Sequence, residues 1–549
     1  MVFQMPDHGG CRPPGVLRGR TGVRAAARVL LGTVFVLLLL FLLSLIAFDL
    51  WTGRVWYRSV GFSSVYTVRL RTQGMLFVTF GLLMALATAL NAWLAYRLRP
   101  PLSAMSFEQR HLERYRTSVA RHRARALVAV AMLPGLAAGT VAAAAWKTWL
   151  AAANSTSFGS ADPQFHRDLS FYVFRLPWYR FLVDFGLVAL AVSAFTAALV
   201  HYLYGGIRMQ GPGRLLSYPA QGHLGVLLGL LVGLKAVAYW LDRYSLAVKA
   251  GADRAAGGWN GIGYTEANAV LPAKAVMCGI AVICAVLFLA TPLRRTWALP
   301  LAALALMAFS SVLIGSICPA LVQQFQVKPD EQAKEAPYVA RNSAATAAAY
   351  GMSGYVAAAA PRAGALQASP SASGASSGSS DGSSTGSSSE AAVRVAADDA
   401  RQRVQAVAPW LRTGASPYQV TVGGRTEWVV DGYTTSDSYP FAARTGTAMG
   451  GGAVDYIRDS VKATVDVSTG AVALYQWDTV DPVLRTWMRA FPGTVRWAHN
   501  PEVAGSNPVP ATREVRRPGT QVPGLLPLSG LRPGPEAAAA EVICGAGRR

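Results

Sequence analysis

The chain has 549 residues, of which 52% are hydrophobic and only 15% are charged. Soluble proteins carry about 25% charged residues, so this composition excludes an ordinary soluble protein and indicates a membrane protein. The formal charge is +22, but residues 392–495 hold ten basic and ten acidic side chains, and a nucleic-acid binder needs a basic surface. We therefore expect no nucleic-acid partner, and the five cysteines predict no structural disulfide.

Seven apolar stretches in the first 320 residues predict seven transmembrane helices. The clearest, 29–47, is long enough to cross the hydrocarbon of a bilayer, and no small-residue cleavage site follows it. The third stretch is rich in Ala and Gly and is expected to pack closely against another helix. The predicted spans are 26–48, 74–96, 126–149, 180–203, 224–242, 269–291 and 298–320, which together form a membrane domain over 26–320.

Basic residues predict how the spans are oriented. The N-terminal arm 1–25 and the loops after spans two, four and six carry sixteen Lys and Arg, against eight in the opposite loops. Cytoplasmic loops retain positive charge, so the N-terminus is predicted to be cytoplasmic and the part after span seven extracytoplasmic. The expected partners are the lipid bilayer of a plasma membrane and, at the basic loop 97–125, anionic lipid head groups.

Composition divides the remainder of the chain into four segments. A polar juxtamembrane segment, 321–351, is predicted to be partly helical. The Ser-rich 352–391 cannot bury enough apolar surface to fold, so it predicts a flexible linker that requires no fixed interface between the bundle and the domain that follows. After that domain, the tail 496–549 is rich in Pro, Arg, Gly and Ala and is also predicted to be disordered.

Residues 392–495 predict a small α+β domain. It is expected to comprise helices over 393–411 and 481–491 and hairpins over 417–430 and 460–477. Its core is expected to hold four tryptophans, Trp410, Trp428, Trp477 and Trp487. The predicted fold class is therefore an all-α membrane bundle of seven transmembrane helices with a small extracytoplasmic α+β domain.

Lys235, near the middle of the fifth span, is the strongest candidate for a functional polar residue within the membrane. An ammonium at this depth is costly, so it should face the bundle interior or a wet cavity and have a partner. Asp184, in the outer half of the fourth span, is the candidate partner. The pair could lie on a path for an ion or a solute, but a structural pair or a water-solvated lysine is the favoured interpretation.

Asp162, His166 and Asp168 place three potential metal ligands within seven residues of one loop. Asp followed by Pro is also typical of a turn or a helix start, and no second ligand cluster accompanies them, so a structural loop is favoured. The chain has no P-loop, no G-x-S-x-G, no H-E-x-x-H and no Cys-x-x-Cys. We expect no cofactor and no catalytic residue.

Long runs of the sequence resemble a known family. They are 56–61 (WYRSVG), 94–101 (LAYRLRPP), 168–174 (DLSFYVF), 235–244 (KAVAYWLDRY) and 323–329 (QQFQVKP) in the membrane half, and 407–411 (VAPWL), 428–436 (WVVDGYTTS), 456–466 (YIRDSVKATVD) and 481–484 (DPVL) in the small domain. They resemble an uncharacterised family of large bacterial membrane proteins with seven spans. Since the family has no established activity, the resemblance assigns no catalytic residue.

The chain departs from that family in two places. Family members carry a large segment where this chain has the Ser-rich linker, and residues 497–512 look like a transfer-RNA gene translated by mistake. We therefore expect an internally deleted member with an aberrant C-terminal tail.

Three functions follow as hypotheses. The leading one is a cell-envelope anchor or scaffold without catalysis, in which the bundle works with the extracytoplasmic domain. The alternative is a transporter or channel with a polar path near Lys235. A third is an envelope enzyme that uses Asp162, His166 and Asp168.

Overall fold

Long apolar runs with few helix breakers give the first half of the chain its helices. They are α1 (Gly19–Ser59), α2 (Ser63–Arg97), α3 (Arg123–Ala144), α4 (Trp146–Ala153), α5 (Leu176–Leu203), α6 (Tyr218–Ser245), α7 (Leu271–Leu289), α8 (Ala298–Val312) and α9 (Glu331–Ala349). One π-helical turn precedes α5 and another precedes α7, and further helical turns join α8 to α9. The predicted segments 298–320 and 321–351 therefore belong to one helical stretch.

The computed structural model describes residues 19–100, 113, 115–117, 121–208, 215–249, 260–294, 297–352, 396–446 and 452–497. The predicted N-terminal arm, lipid-facing loop 97–125, disordered linker and disordered tail lie wholly or mainly outside these residues.

Seven helical segments among the described residues are long and apolar enough to cross a membrane. They are Val29–Ser59, Ser63–Arg97, Arg123–Ala144, Phe171–Leu203, Tyr218–Ser245, Glu266–Leu293 and Ala298–Ala349. The apolar side chains of α1 between Val29 and Trp51 are mostly exposed, and nothing in the described chain covers them. Such a surface suits lipid, because a helix satisfies its backbone hydrogen bonds internally.

Glycines bring α2 and α3 into close backbone contact. A Cβ atom placed on Gly135 would lie 2.9 Å from Gly81 O, and one placed on Gly139 would lie 2.8 Å from Phe77 O. Small residues four positions apart allow this approach. The close packing expected of the Ala- and Gly-rich third span is therefore present, and its partner is the second span.

The small domain is a mixed sheet with two helices, which we call the sheet domain. Its elements are α10 (Ala397–Val407), β1 (Leu411–Thr413), β2 (Tyr418–Val422), β3 (Arg425–Ser436), β4 (Tyr456–Asp466), β5 (Val472–Gln476), α11 (Pro482–Ala490) and β6 (Arg496–Trp497). The strand order is β1-β3-β4-β5-β6 with β2 also on β3, and only the β5–β6 pair is parallel. Both predicted hairpins are confirmed, the first with Val422 opposite Arg425.

The first predicted helix of this domain is shorter than expected. It was predicted over 393–411, but α10 ends at Val407, and Leu411 begins β1 instead. Pro409 gives the physical reason, because a residue before proline is disfavoured in the helical region.

Aromatic stacking forms part of the core of the sheet domain. The Trp410 ring lies 4.5 Å from Phe491 and 5.8 Å from Trp487, centroid to centroid, and all three side chains are buried. Trp428 and Trp477 are only partly buried. Two of the four tryptophans expected in the core are therefore fully part of it, and the other two lie at its margin.

Candidate functional site

The sheet domain rests against one end of the bundle, which we call the domain end. Tyr57, near the end of α1, donates to Ala406 O at 2.7 Å, and Lys147 of α4 donates to Pro409 O at 2.6 Å. One hydrophobic core runs from the helices into the sheet domain and includes Val404. A flexible linker requires no fixed interface, but the structure has one, because apolar and polar groups of both parts are complementary.

Thr156, in the loop after α4, joins the loop to helix α11. Its backbone N–H donates to Thr486 Oγ1 at 3.1 Å, and its hydroxyl donates to Pro482 O at 2.6 Å. The two threonine hydroxyl oxygens lie only 2.8 Å apart. Thr156 and Thr486 are both buried, so each would lose a hydrogen-bond partner if the two parts separated.

Two further segments hold the other side of the sheet domain. After α6, Ala247 O accepts from the Phe441 backbone N–H at 2.9 Å. From α9, Thr346 Oγ1 accepts from Ala443 N at 2.9 Å, and Ala348 O accepts from Arg458 Nη2 at 2.9 Å. Contacts therefore come from α1, α4, α9 and two loops, which fixes the orientation of the domain.

Asp455 is a buried carboxyl group at this interface. Its oxygens accept from the Tyr439 backbone N–H at 2.9 Å and from Asn260 Nδ2 at 3.3 Å. Burial raises the pKa of Asp455 to about 8, although the bond from Tyr439 acts in the opposite direction. The group is therefore neutral in mildly acidic solution and becomes a buried charge as the pH rises.

Stability should fall between about pH 4 and about pH 8 because of Asp455, since the unfolded state loses this proton first. The pKa difference corresponds to roughly 4–6 kcal/mol at alkaline pH. Asp455→Asn should raise the melting temperature of the full-length protein in detergent at about pH 8.5 and change it little at about pH 5. The exposed Asp399→Asn is the control. Parallel pH profiles for wild type and Asp455→Asn would contradict the assignment.

An open groove lies where the sheet domain meets the end of α9. Its volume is about 540 Å³, and it is lined by Tyr350, Gly351, Tyr433, Ile457, Arg458, Asp459, Trp477, Asp478 and Thr479. Lys462, behind it, contacts Asp459 and lies 2.8 Å from Asp431. Burial acts to lower the pKa of Lys462, but the two carboxylates outweigh it and raise the pKa. The groove therefore combines aromatic faces with charges of both signs.

The three predicted metal ligands lie in the loop between α4 and α5. The Asp162 carboxylate accepts from the backbone N–H groups of Gln164 and Phe165, and from the Tyr172 hydroxyl at 2.9 Å. His166 is exposed and has a positive φ of 55°. Asp162 is thus occupied in shaping the loop.

Asp168 has the same kind of role as Asp162. It accepts from Ser157 and from the backbone N–H groups of Phe158, Gly159 and Ser170. Burial acts to raise the pKa of Asp168, but the hydrogen bonds outweigh it and hold the pKa below its usual range. Across the described ranges, no three His, Cys, Asp or Glu side chains are grouped as a metal site requires. The three residues stay candidates for a metal site, and the favoured interpretation remains a structural loop.

The structure does not bring Lys235 and Asp184 together. The Lys235 ammonium lies 5.2 Å from the Tyr239 ring centroid, and the Asp184 side chain is exposed. No ion pair joins these two described residues. The Lys274 ammonium lies 5.5 Å from the centroid of the same Tyr239 ring.

An ion-pair cluster at the domain end was not predicted from the sequence. Asp242 of α6 lies 2.6 Å from Arg180 of α5 and 3.2 Å from Lys274 of α7. Arg180 also donates to Ser245 Oγ at 2.5 Å. Lys274 is therefore a partner of Asp242, and the cluster links three neighbouring helices. The only sign of this cluster in the sequence was Asp242 itself, an acidic residue at the end of the predicted span 224–242. Nothing in the sequence indicated which cations it would contact.

A buried histidine pair at the opposite end of the bundle, which we call the far end, was also not predicted from the sequence. His201 of α5 and His223 of α6 are in hydrogen-bond contact and almost fully buried. Both lie at or beside the ends of predicted spans, where a polar residue usually faces water. Histidines inside apolar helices were the signal that could have identified them.

The seven apolar helices indicate a multi-pass membrane protein, and a small mixed-sheet domain is joined to them. The chain belongs to the Uncharacterised protein family (UPF0182), whose profile matches residues 30–375 and 392–501. The resemblance seen in the sequence runs is therefore confirmed. No solved structure matches the chain.

Three curated relatives show how far the similarity extends. A UPF0182 protein of Streptomyces coelicolor is 38% identical over 90% of this chain and 67% of its own length. UPF0182 proteins of Frankia casuarinae and Frankia alni are 35% and 33% identical, over 87% and 80% of this chain and 65% and 61% of their own lengths. The chain thus spans about two thirds of these relatives. The first alignment has 675 positions, more than the 549 residues here, so that relative has residues between matched parts that this chain lacks.

Proposed function

We propose that the protein is a plasma-membrane scaffold that holds its sheet domain on the extracytoplasmic face and presents the groove to a component of the cell envelope. The observation that supports this proposal is the shared core and hydrogen bonding between the sheet domain and the domain end. A domain on a flexible tether would not need these contacts. A fixed domain presents its groove at a constant height and angle above the bilayer.

The proposed orientation follows from the distribution of basic residues. The far end carries Arg97, Arg99 and Arg208, whereas the neutral sheet domain covers the domain end. Positive loops remain in the cytoplasm, so the far end is assigned to the cytoplasm and the sheet domain to the outside. A topology reporter fused after Asp330 should be active outside the cell. Cytoplasmic activity of that fusion would contradict the orientation.

The groove favours a polar ligand that also has an apolar face. Trp477 and Tyr433 offer ring surfaces, and the ion pair of Arg458 with Asp478 places charges of both signs beside them.

Blocking the groove should remove the function while leaving the fold intact. Thr479 is exposed and lines the groove, so Thr479→Arg would fill it. In a strain that lacks the gene, this variant should fail to restore the envelope phenotype that the wild-type gene restores. Thr421→Arg, at an exposed position of β2 away from the groove, is the matched control. Full complementation by Thr479→Arg would contradict a role for the groove.

A transporter or channel is the second candidate, and the charged groups inside the bundle favour it. The ammonium groups of Lys235 and Lys274 lie 5.2 Å and 5.5 Å from the centroid of the Tyr239 ring, and Asp242 is an acidic partner of Lys274. Intramembrane charges often mark a path for ions or solutes. Reconstituted protein should then show solute flux that Lys235→Ala reduces. Equal flux with both proteins, or none with either, would exclude this candidate.

A further inference from the structure

Two histidines and an asparagine form a chain of hydrogen bonds near the far end. His201 lies in the last turn of α5, His223 in the second turn of α6, and Asn91 on α2. The distance from His201 Nε2 to His223 Nδ1 is 3.2 Å, and the distance from His223 Nε2 to Asn91 Oδ1 is also 3.2 Å. The two histidines are 1% and 7% exposed. Ionisable groups this well buried between apolar helices are candidates for function.

The amide of Asn91 sets the direction of the chain. Its Nδ2 donates to Ala87 O at 2.8 Å, so its Oδ1 faces His223 and can only accept. His223 must therefore donate from Nε2 and accept at Nδ1 from His201 Nε2–H. In this arrangement both rings are neutral, and each carries its proton on Nε2. His201 Nδ1 is left buried with no hydrogen-bond partner.

We propose that this pair binds one proton at His201 Nδ1 and relays it to His223. A proton at Nδ1 breaks no hydrogen bond, because that lone pair is unused. The proton on His201 Nε2 can then pass to His223 Nδ1, so that one N–H bond breaks on the first ring and one forms on the second. The positive charge moves with it to His223, whose Nε2–H still donates to Asn91.

The hydrogen-bonded chain of His201, His223 and Asn91 can hold only one excess proton. In the charged state every ring nitrogen is engaged or protonated, and a second proton would place two cations side by side. Cationic side chains nearby further disfavour a second positive charge on the pair. Arg99 and Arg116 lie over the Tyr204 ring, and Arg208 donates to Gly205 O, in the turn after His201. Glu113 is exposed, and no carboxylate of the described residues hydrogen-bonds to either imidazole.

A cavity beside His223 gives the relay access to water. It has a volume of about 410 Å³ and lies among the far ends of α2 and α6 and the turn after α7. Besides His223, its polar lining residues include Gln221 and Thr291. Both His223 nitrogens are engaged, so a proton that leaves for this cavity departs from Nε2: that N–H bond breaks, the hydrogen bond to Asn91 Oδ1 is lost, and water takes the proton. This inference is independent of the scaffold function proposed above.

Nitrogen-15 NMR of histidine-labelled, full-length protein in lipid nanodiscs tests the proposal. At alkaline pH, the His201 and His223 signals should both be those of neutral rings protonated at Nε2. On acidification the pair should take up one proton in total, and both rings should broaden together as it exchanges between them. The exposed His166 supplies a reference signal outside the pair, and His166→Gln should remove that signal without altering the pair.

Variants assign the signals to residues and test the direction of the hydrogen bonds from His201 through His223 to Asn91. His201→Gln and His223→Gln should each remove one of the coupled signals, and Asn91→Leu should release His223 from its Nε2–H form. If a variant does not fold, the wild-type spectrum still decides, because it counts protons and tautomers directly. Two separate protonations, an Nδ1–H form of His223 at alkaline pH, or neutral rings throughout the stable pH range would each overturn the proposal.

Discussion

Asp481→Ala is expected to unfold the sheet domain by removing about 3–5 kcal/mol of stability. The Asp481 side chain is 1% exposed, and five donors converge on its carboxylate. They are the hydroxyls of Tyr456, Thr434 and Ser460, each at 2.6 Å, and the backbone N–H groups of Val483 at 2.8 Å and Leu484 at 3.2 Å. The carboxylate therefore caps α11 and also joins it to β3 and β4, and alanine would leave buried donors without an acceptor.

Limited proteolysis of the full-length protein in detergent measures this effect. Asp481→Ala should expose sites within 400–490 to rapid cleavage, and Asp481→Asn, which keeps one acceptor oxygen, should give an intermediate rate. Asp466 is the control, because it also caps a turn but is only partly buried, and the hydroxyl of Ser468 lowers its pKa to about 2. Asp466→Ala should cleave nearly as slowly as wild type. Equal rates for Asp481→Ala and Asp466→Ala would show that the buried carboxylate is not essential.

Gly139→Leu is expected to separate α2 from α3 and destabilise the bundle. Even the Cβ of alanine would lie 2.8 Å from Phe77 O and 2.9 Å from the Phe77 ring, which is too close without movement of the backbone. Overpacking by a single small group typically costs about 1–3 kcal/mol, and leucine adds three more carbon atoms. Neighbouring contacts between Gly81 and Gly135 would be lost as well, because they depend on the same helix separation.

Gly279 of α7 offers a matched control, since a Cβ there would meet nothing within 4 Å. Gly279→Leu should leave the melting temperature of the purified protein unchanged or slightly raised, because glycine is a poor helix former. Gly139→Leu should lower it by several degrees or prevent recovery of monodisperse protein, and Gly139→Ala should fall between. If both leucine variants melted like wild type, the close contact between α2 and α3 would be wrong.

Local patterns in the sequence predicted most of the fold. Apolar runs predicted the seven helices, and glycines at 423, 424 and 470 marked the two hairpins that the structure contains. These features depend on residues close together in the chain. Helix ends were predicted less well, because polar residues continue a helix beyond the apolar run, as they do from residue 320 to Ala349.

Contacts between distant residues could not be predicted in the same way. Asp184 was the candidate partner of Lys235, whereas the structure pairs Asp242 with Arg180 and Lys274. Hydrophobicity gives the depth of a residue in the membrane but not the direction that it faces. The interface of Thr156 with Thr486 joins positions 330 residues apart and leaves no periodic signal. The composition of the Ser-rich segment predicted a flexible linker. The position of the sheet domain depends instead on the surface with which that domain contacts the bundle, and composition does not reveal that surface.

A disulfide between positions 156 and 486 tests the central claim, that the sheet domain is fixed to the domain end. The threonine oxygens are 2.8 Å apart, so Thr156→Cys with Thr486→Cys should pair in a chain whose five native cysteines have been replaced. With a protease site placed in the Ser-rich linker, oxidised and cleaved protein should run as one species on a non-reducing gel and as two after reduction. Thr156→Cys with Ser468→Cys, at the exposed turn of the second hairpin, should separate under both conditions. Separation of the 156–486 pair into two fragments after mild oxidation would contradict the fixed interface.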